Sequence, residues 1–69
     1  MKWSKIIKEL REKLLISQAE LSELLKVSFA SINRWENEHN EPTIKMKRKI
    51  KILCEKNNID LKSFNDDKD

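Results

Sequence analysis

The 69-residue chain has no glycine and no tyrosine, and only one proline, one cysteine and one histidine. Each shortage excludes something. A lone thiol, Cys54, cannot form a disulfide within the chain, and its ordinary use is as a small buried hydrophobe. One cysteine and one histidine, His39, are too few for a structural zinc site. Without glycine there is no phosphate-cradling loop and no glycine-bearing hairpin turn. Ser–His–Asp, Cys–His and paired-carboxylate constellations are missing as well, and so short a chain encloses little volume for a shaped pocket. These shortages argue against an enzyme, a cofactor, a metal and a small-molecule ligand. No apolar run is long enough to span a membrane, and no signal-type apolar region follows Met1. A cytoplasmic location is the default expectation.

The missing glycine also bears on the helices. A helix commonly ends on a left-handed residue, usually Gly. Here Asn37 and Asn57 or Asn58 are the candidates for that position.

What the chain does have is charge. Fifteen basic and twelve acidic residues leave a net +3 and a pI of about 9.1. The balance is compatible with nucleic acid without demanding it, so distribution matters more than the sum. Residues 43–53, TIKMKRKIKIL, hold five basic residues and no acidic one. Residues 1–65 are expected to form one small domain, and 66–69 an acidic, frayed tail.

Apolar spacing is helical throughout. Trp3, Ile6, Ile7, Leu10 and Leu14 form one stripe, predicting helix 1 over about 3–14. Helix 2 is expected at about 18–25, helix 3 at 29–37 and helix 4 at 44–56. Pro42 suits the start of helix 4, with Thr43 the alternative cap. Ile59, Leu61 and Phe64 suggest a last short helix. No segment alternates as a strand would. The class is all-α, with four or five helices.

The most informative stretch is Ser17–Asn37, SQAELSELLKVSFASINRWEN. Ser17-x-x-Glu20 reads as a capping box, flanked by Ile16 and Leu21 as a hydrophobic staple. Ser28 repeats the pattern, with Val27 before it and Ile32 after it. Leu21, Leu24 and Leu25 give helix 2 an apolar face; Val27, Ile32 and Trp35 do the same for the next unit. Only Lys26 and Val27 separate Leu25 from the cap at Ser28. So short a connection forces the helices to cross, which is the helix-turn-helix signature.

At about 100° per residue, helix 3 divides in two. Ile32, Trp35 and Glu36 share one half. Ala30, Asn33, Arg34 and Asn37 share the other, with Phe29 at the boundary, either tucked against helix 2 or free to touch a thymine methyl. Arg suits guanine and Asn suits adenine in the major groove. The N-termini at Gln18 and Ser28 are natural phosphate seats.

With these residues, positions 6–53 resemble the phage repressor and Cro-type helix-turn-helix family, often called XRE-type. The matching residues are Leu10-Arg11, Ser17-Gln18, Leu21, Val27-Ser28, Ser31-Ile32, Trp35-Glu36-Asn37 and Pro42. The resemblance implies a five-helix, lambda-repressor-like domain that binds double-stranded DNA as a homodimeric regulator. It implies that Arg11 pairs with Glu36, that Gln18, Ser31 and Asn37 contact phosphates, and that Phe29, Ala30, Asn33 and Arg34 face the bases. Ser22 stands where the family usually has alanine. Lys26 replaces the turn glycine, and Glu38 replaces the glycine after Glu36-Asn37. Glu38 and Glu41 are expected to repel the DNA backbone, with Lys45 and Lys47 compensating. That acidic loop leaves room for a second reading, a protein-interaction module of the same fold such as an antitoxin or coactivator-like adaptor. The apolar surface near Ile59, Leu61 and Phe64 is the expected dimer contact.

Overall fold

The computed structural model describes residues 2–64, with residue 63 described by its backbone only. Four α-helices follow one another: α1 (Trp3–Leu14), α2 (Gln18–Leu25), α3 (Phe29–Glu36) and α4 (Ile44–Lys56), with a 3₁₀ turn at Leu61–Phe64. No strand occurs among the described residues. The domain is all-α, as the spacing of apolar residues implies, and its helix order fits the lambda-repressor-like fold that the resemblance implies. The acidic tail expected at 66–69 lies outside the described residues.

The helices start where the caps place them. Ser17 Oγ accepts from the Glu20 N–H (3.1 Å), and Glu20 Oε1 accepts from the Ser17 N–H (2.8 Å), closing the capping box. Ser28 Oγ accepts from the Ser31 N–H (3.1 Å). At α4 the cap is Thr43, whose Oγ1 accepts from the Met46 N–H (3.3 Å). Pro42 stands just outside the helix, because it has no side-chain oxygen to satisfy the first-turn donors and Thr43 does.

All four helices end in the same way, and none with glycine. Leu15, Lys26, Glu38 and Asn58 adopt left-handed backbone at φ 58°, 59°, 62° and 62°. After each, the next N–H reaches back five residues: Ile16 to Arg11 (3.0 Å), Val27 to Ser22 (3.0 Å), His39 to Arg34 (2.9 Å) and Ile59 to Cys54 (2.9 Å). The left-handed residue itself donates three residues back, which completes a Schellman motif each time. Two expectations change here. Helix α3 ends at Glu36 rather than Asn37, and Asn37 keeps φ at −93°. Glu38 takes the left-handed position because the His39 to Arg34 bond fixes the reversal one residue further on. At the end of α2, Lys49 from α4 donates to the Leu25 carbonyl (3.2 Å), placing a cation against the negative helix terminus.

These endings aim the apolar faces inward. Ile6, Ile7, Leu10, Leu21, Leu25, Ile32, Trp35, Met46, Ile50, Cys54 and Ile59 form one core. Leu24 does not join it and is 55% exposed. The inward positions of this two-turn helix are Leu21, Ser22 and Leu25, and at about 100° per residue Leu24 falls about 60° outside the arc they span. Nor do the last apolar residues stand spare: Ile59 is buried, and Leu61 and Phe64 pack against the core. Burial pushes the Cys54 thiol up to about 11, with the charge of Glu55 adding to it, which keeps the group neutral and inert.

Left-handed backbone costs a residue with a Cβ about 1–2 kcal/mol, of which glycine's greater unfolded-state freedom returns only part. Leu15 is 89% exposed, so its side chain contributes little in exchange. Leu15→Gly and Lys26→Gly are each expected to stabilise the fold by about 0.5–1 kcal/mol. In thermal unfolding that is a rise of about 2–8 °C for a domain this small. A fall in Tm for both would contradict the strain account.

Candidate nucleic-acid interface

Helix α3 is held by its buried half. Ile32 and Trp35 lie in the core, packed between α1 and α2, and Glu36 is only 5% exposed. A carboxylate so enclosed needs partners. Arg11 Nε donates to Glu36 Oε2 at 2.6 Å and Arg11 Nη2 to Glu36 Oε1 at 2.9 Å, a two-pronged pair from α1 to α3. Arg11 Nη1 also donates to the Ile16 carbonyl (3.4 Å), so the same guanidinium ties down the turn before α2. Gln18 Nε2, on the first residue of α2, donates to Glu36 Oε1 (3.0 Å). Three helices therefore meet on one carboxylate.

Burial pushes the Glu36 carboxyl up. The hydrogen bonds from Arg11 and Gln18, with the charges of Arg11 and Lys8, outweigh it and hold the group below its usual range. The Arg11 guanidinium is raised, chiefly by its hydrogen bonds to Glu36.

The other half of α3 is presented. Phe29 is 52% exposed and stays out of the core, which settles its position on the outer side. Ala30, Asn33 and Arg34 are exposed beside it. Arg34 makes no side-chain hydrogen bond or ion pair among the described residues, so its planar donors are available to a ligand. Asn33 is engaged at both ends of its amide. Its Nδ2 donates to Gln18 Oε1 (3.3 Å), and its Oδ1 accepts from Asn37 Nδ2 (3.0 Å).

The residues expected at phosphates fall into two groups. Lys45 is exposed and unengaged, and Ser28 and Ser31 lie together at the start of α3 with their hydroxyls 3.0 Å apart. Lys47 is occupied: its Nζ pairs with Glu41 (3.0 Å) and stands 5.5 Å from the centre of the Trp3 ring. Asn37 turns its amide nitrogen onto Asn33, donating to both the backbone carbonyl (2.9 Å) and the side-chain oxygen. What it leaves unengaged is Oδ1, an acceptor that a phosphate oxygen would repel. Asn37 thus buttresses Asn33 in this arrangement.

The loop carboxylates are not bare. Glu38 accepts from Ser4 Oγ (3.1 Å) and lies 3.8 Å from Lys2 Nζ, while Glu41 pairs with Lys47. The repulsion expected from an acidic loop is partly offset by Lys2, just before α1, and by Lys47 on α4. Sequence spacing alone could not show these partners. Glu36 was the one legible clue to Gln18, since a buried carboxylate has more lone pairs than one arginine fills.

The Glu36 carboxyl gives a pH signature. Its folded pKa is lowered, so its contribution is complete above the ordinary carboxylate range, about 4.3, and is lost as pH falls through the folded value. In urea unfolding, wild type is expected to exceed Glu36→Gln in stability at pH 7, with the gap closing below about pH 4.5. A gap that stays constant to pH 2.5 would refute the assignment. Arg11→Ala should cost about 2–4 kcal/mol at pH 7, less than a fully enclosed pair because Arg11 keeps 25% of its side chain in water.

A helix-turn-helix family model matches residues 7–62, most of the chain and all four helices in whole or part. No curated protein and no solved structure matches significantly. The matched region contains the crossing of α2 and α3, the glycine-free turn between them and the presented half of α3. The chain therefore belongs to the XRE-type, Cro-like helix-turn-helix family of DNA-binding regulators.

Proposed function

We propose that the protein is a sequence-specific, repressor-like transcriptional regulator that sets α3 in the major groove as a homodimer. The observation that carries this reading is the division of α3. One half is locked by Ile32, Trp35 and Glu36, and the other leaves Phe29, Ala30, Asn33 and Arg34 exposed among the described residues. Arg34 reads guanine through its fork, Asn33 reads adenine, and Phe29 and Ala30 meet thymine methyls. Backbone N–H groups at the starts of α2 and α3, with Gln18, Ser28, Ser31 and Lys45, hold phosphates.

The alternative, a protein-interaction module of the same fold, drew its support from the acidic loop. The pairing of Glu38 with Lys2 and of Glu41 with Lys47 weakens that support, and the modest net charge of +3 is what else favours it.

One short helix touches few bases, so two copies on half-sites about 10–10.5 bp apart supply the specificity. The best-suited dimer face is the groove bordered by Trp3, Ile44, Ile59 and Leu61. Ile44, a large apolar side chain, is 68% exposed there. Arg48, Lys51 and Lys62 rim the groove together with Glu55, so a two-fold copy can set cations against a carboxylate. This adds Ile44 to the expected contact near Ile59, Leu61 and Phe64, because Ile59 is buried, Leu61 and Phe64 are partly covered by the core, and Ile44 is the more exposed apolar side chain.

Selection of bound sites from random DNA tests the whole reading: a two-fold symmetric consensus is expected, and no enrichment would overturn it. In that selection Arg34→Ala should relax one base position per half-site and cost about 1–3 kcal/mol. Binding should weaken steeply with salt; a flat salt dependence would remove the phosphate contacts. Ile44→Glu should shift sedimentation from dimer to monomer while helicity is retained, and an unchanged dimer would place the interface elsewhere.

A further inference from the structure

Gln18 lies where the buried ion pair meets the presented face. Its Nε2 donates to Glu36 and its Oε1 accepts from Asn33. We propose that Gln18 is a specificity-positioning residue: it transmits the hydrogen-bond polarity of the Arg11–Glu36 pair to Asn33, and so decides which atoms of Asn33 are offered to a base. The inference rests on the base-reading role of α3 proposed above.

An amide side chain can turn over and exchange its nitrogen and oxygen, and in a surface asparagine nothing ordinarily prevents it. Here two obligate acceptors fix the direction of the whole row. At one end, the Glu36 carboxylate only accepts, so Gln18 must face it with Nε2. Gln18 Oε1 is then turned to Asn33, which must answer with Nδ2. At the other end, the Asn33 backbone carbonyl only accepts, so Asn37 must face it with Nδ2. That nitrogen also reaches Asn33 Oδ1, requiring oxygen at the same place that the Gln18 end requires it. Both ends demand one orientation of Asn33.

The atoms left over match one base. Asn33 keeps a second Nδ2 hydrogen and a free Oδ1 lone pair. These are the donor and acceptor that meet N7 and the N6 amino group of adenine. Gln18 keeps one Nε2 hydrogen, enough for a phosphate, so positioning Asn33 does not compete with its phosphate contact.

Gln18→Met keeps the length and helix compatibility of the side chain but can neither bridge nor orient. In the free protein, the Asn33 and Asn37 side-chain NH₂ resonances in NMR should show slowed hydrogen exchange that Gln18→Met abolishes at Asn33. In random-site selection, adenine preference at the position relaxed by Asn33→Ala should fall about 3- to 10-fold in Gln18→Met, with the position read by Arg34 unchanged. If Asn33→Ala alters no base preference, the reading of Asn33 itself fails. If Asn33→Ala relaxes a position but Gln18→Met weakens all sequences evenly and keeps the adenine preference, the positioning role alone is overturned. Should Gln18→Met not fold, Gln18→Lys restores a donor to the Glu36 carboxylate but offers Asn33 no acceptor. The same loss of adenine preference is then expected, and its persistence would refute the proposal.

Discussion

The Glu36 carboxylate is the point on which the arrangement turns. Taking a charge out of water is costly, and this one is tolerated because α1, the α1–α2 turn and α2 all supply donors or fix those that do. The same bonds set the rotation of α3 about its axis. With Glu36 facing inward beside Ile32 and Trp35, Asn33 and Arg34 have no choice but to face outward. A hydrophobic contact in place of the pair would bury comparable surface, but it would not fix that rotation so narrowly, because apolar packing has no direction. The ion pair thus links stability to the presentation of the outer face.

A second constraint is the absence of glycine. Four helices within 55 positions must reverse sharply, and each does so through a left-handed residue that carries a Cβ. The bonds reaching back five residues, together with the apolar residues that follow at Ile16, Val27 and Ile59, offset that strain. The turn between α2 and α3 therefore keeps the helix-turn-helix geometry without the residue that usually makes it easy. Lys49 strengthens the same corner from α4, so a fourth helix supports a motif made by two others.

Charge is arranged with similar economy. The acidic residues closest to the end of α3 are matched by Lys2 and Lys47, and the latter also rests on Trp3. Arg34 on α3 and Lys45 at the start of α4 are among the cations that the described residues leave unengaged, and both are on hand for an anionic partner.

The sequence by itself determined the helices, their caps at Ser17 and Ser28, the short crossing turn and the inward half of α3. These follow from local spacing, where a 3.6-residue period and a side-chain oxygen at the right offset leave few alternatives. It also pointed to Arg11 and Glu36 through resemblance. Tertiary structure alone decided that Leu24 stays outside while Ser22 goes in, that Glu38 rather than Asn37 turns left-handed, and that Lys47 is spent on Glu41 and Trp3. It alone joined Gln18, Asn33 and Asn37 into one row of amides directed by a buried charge. Those outcomes depend on distances between residues 15 or more positions apart, or on which neighbour reaches a polar group first, and neither is written in the local pattern.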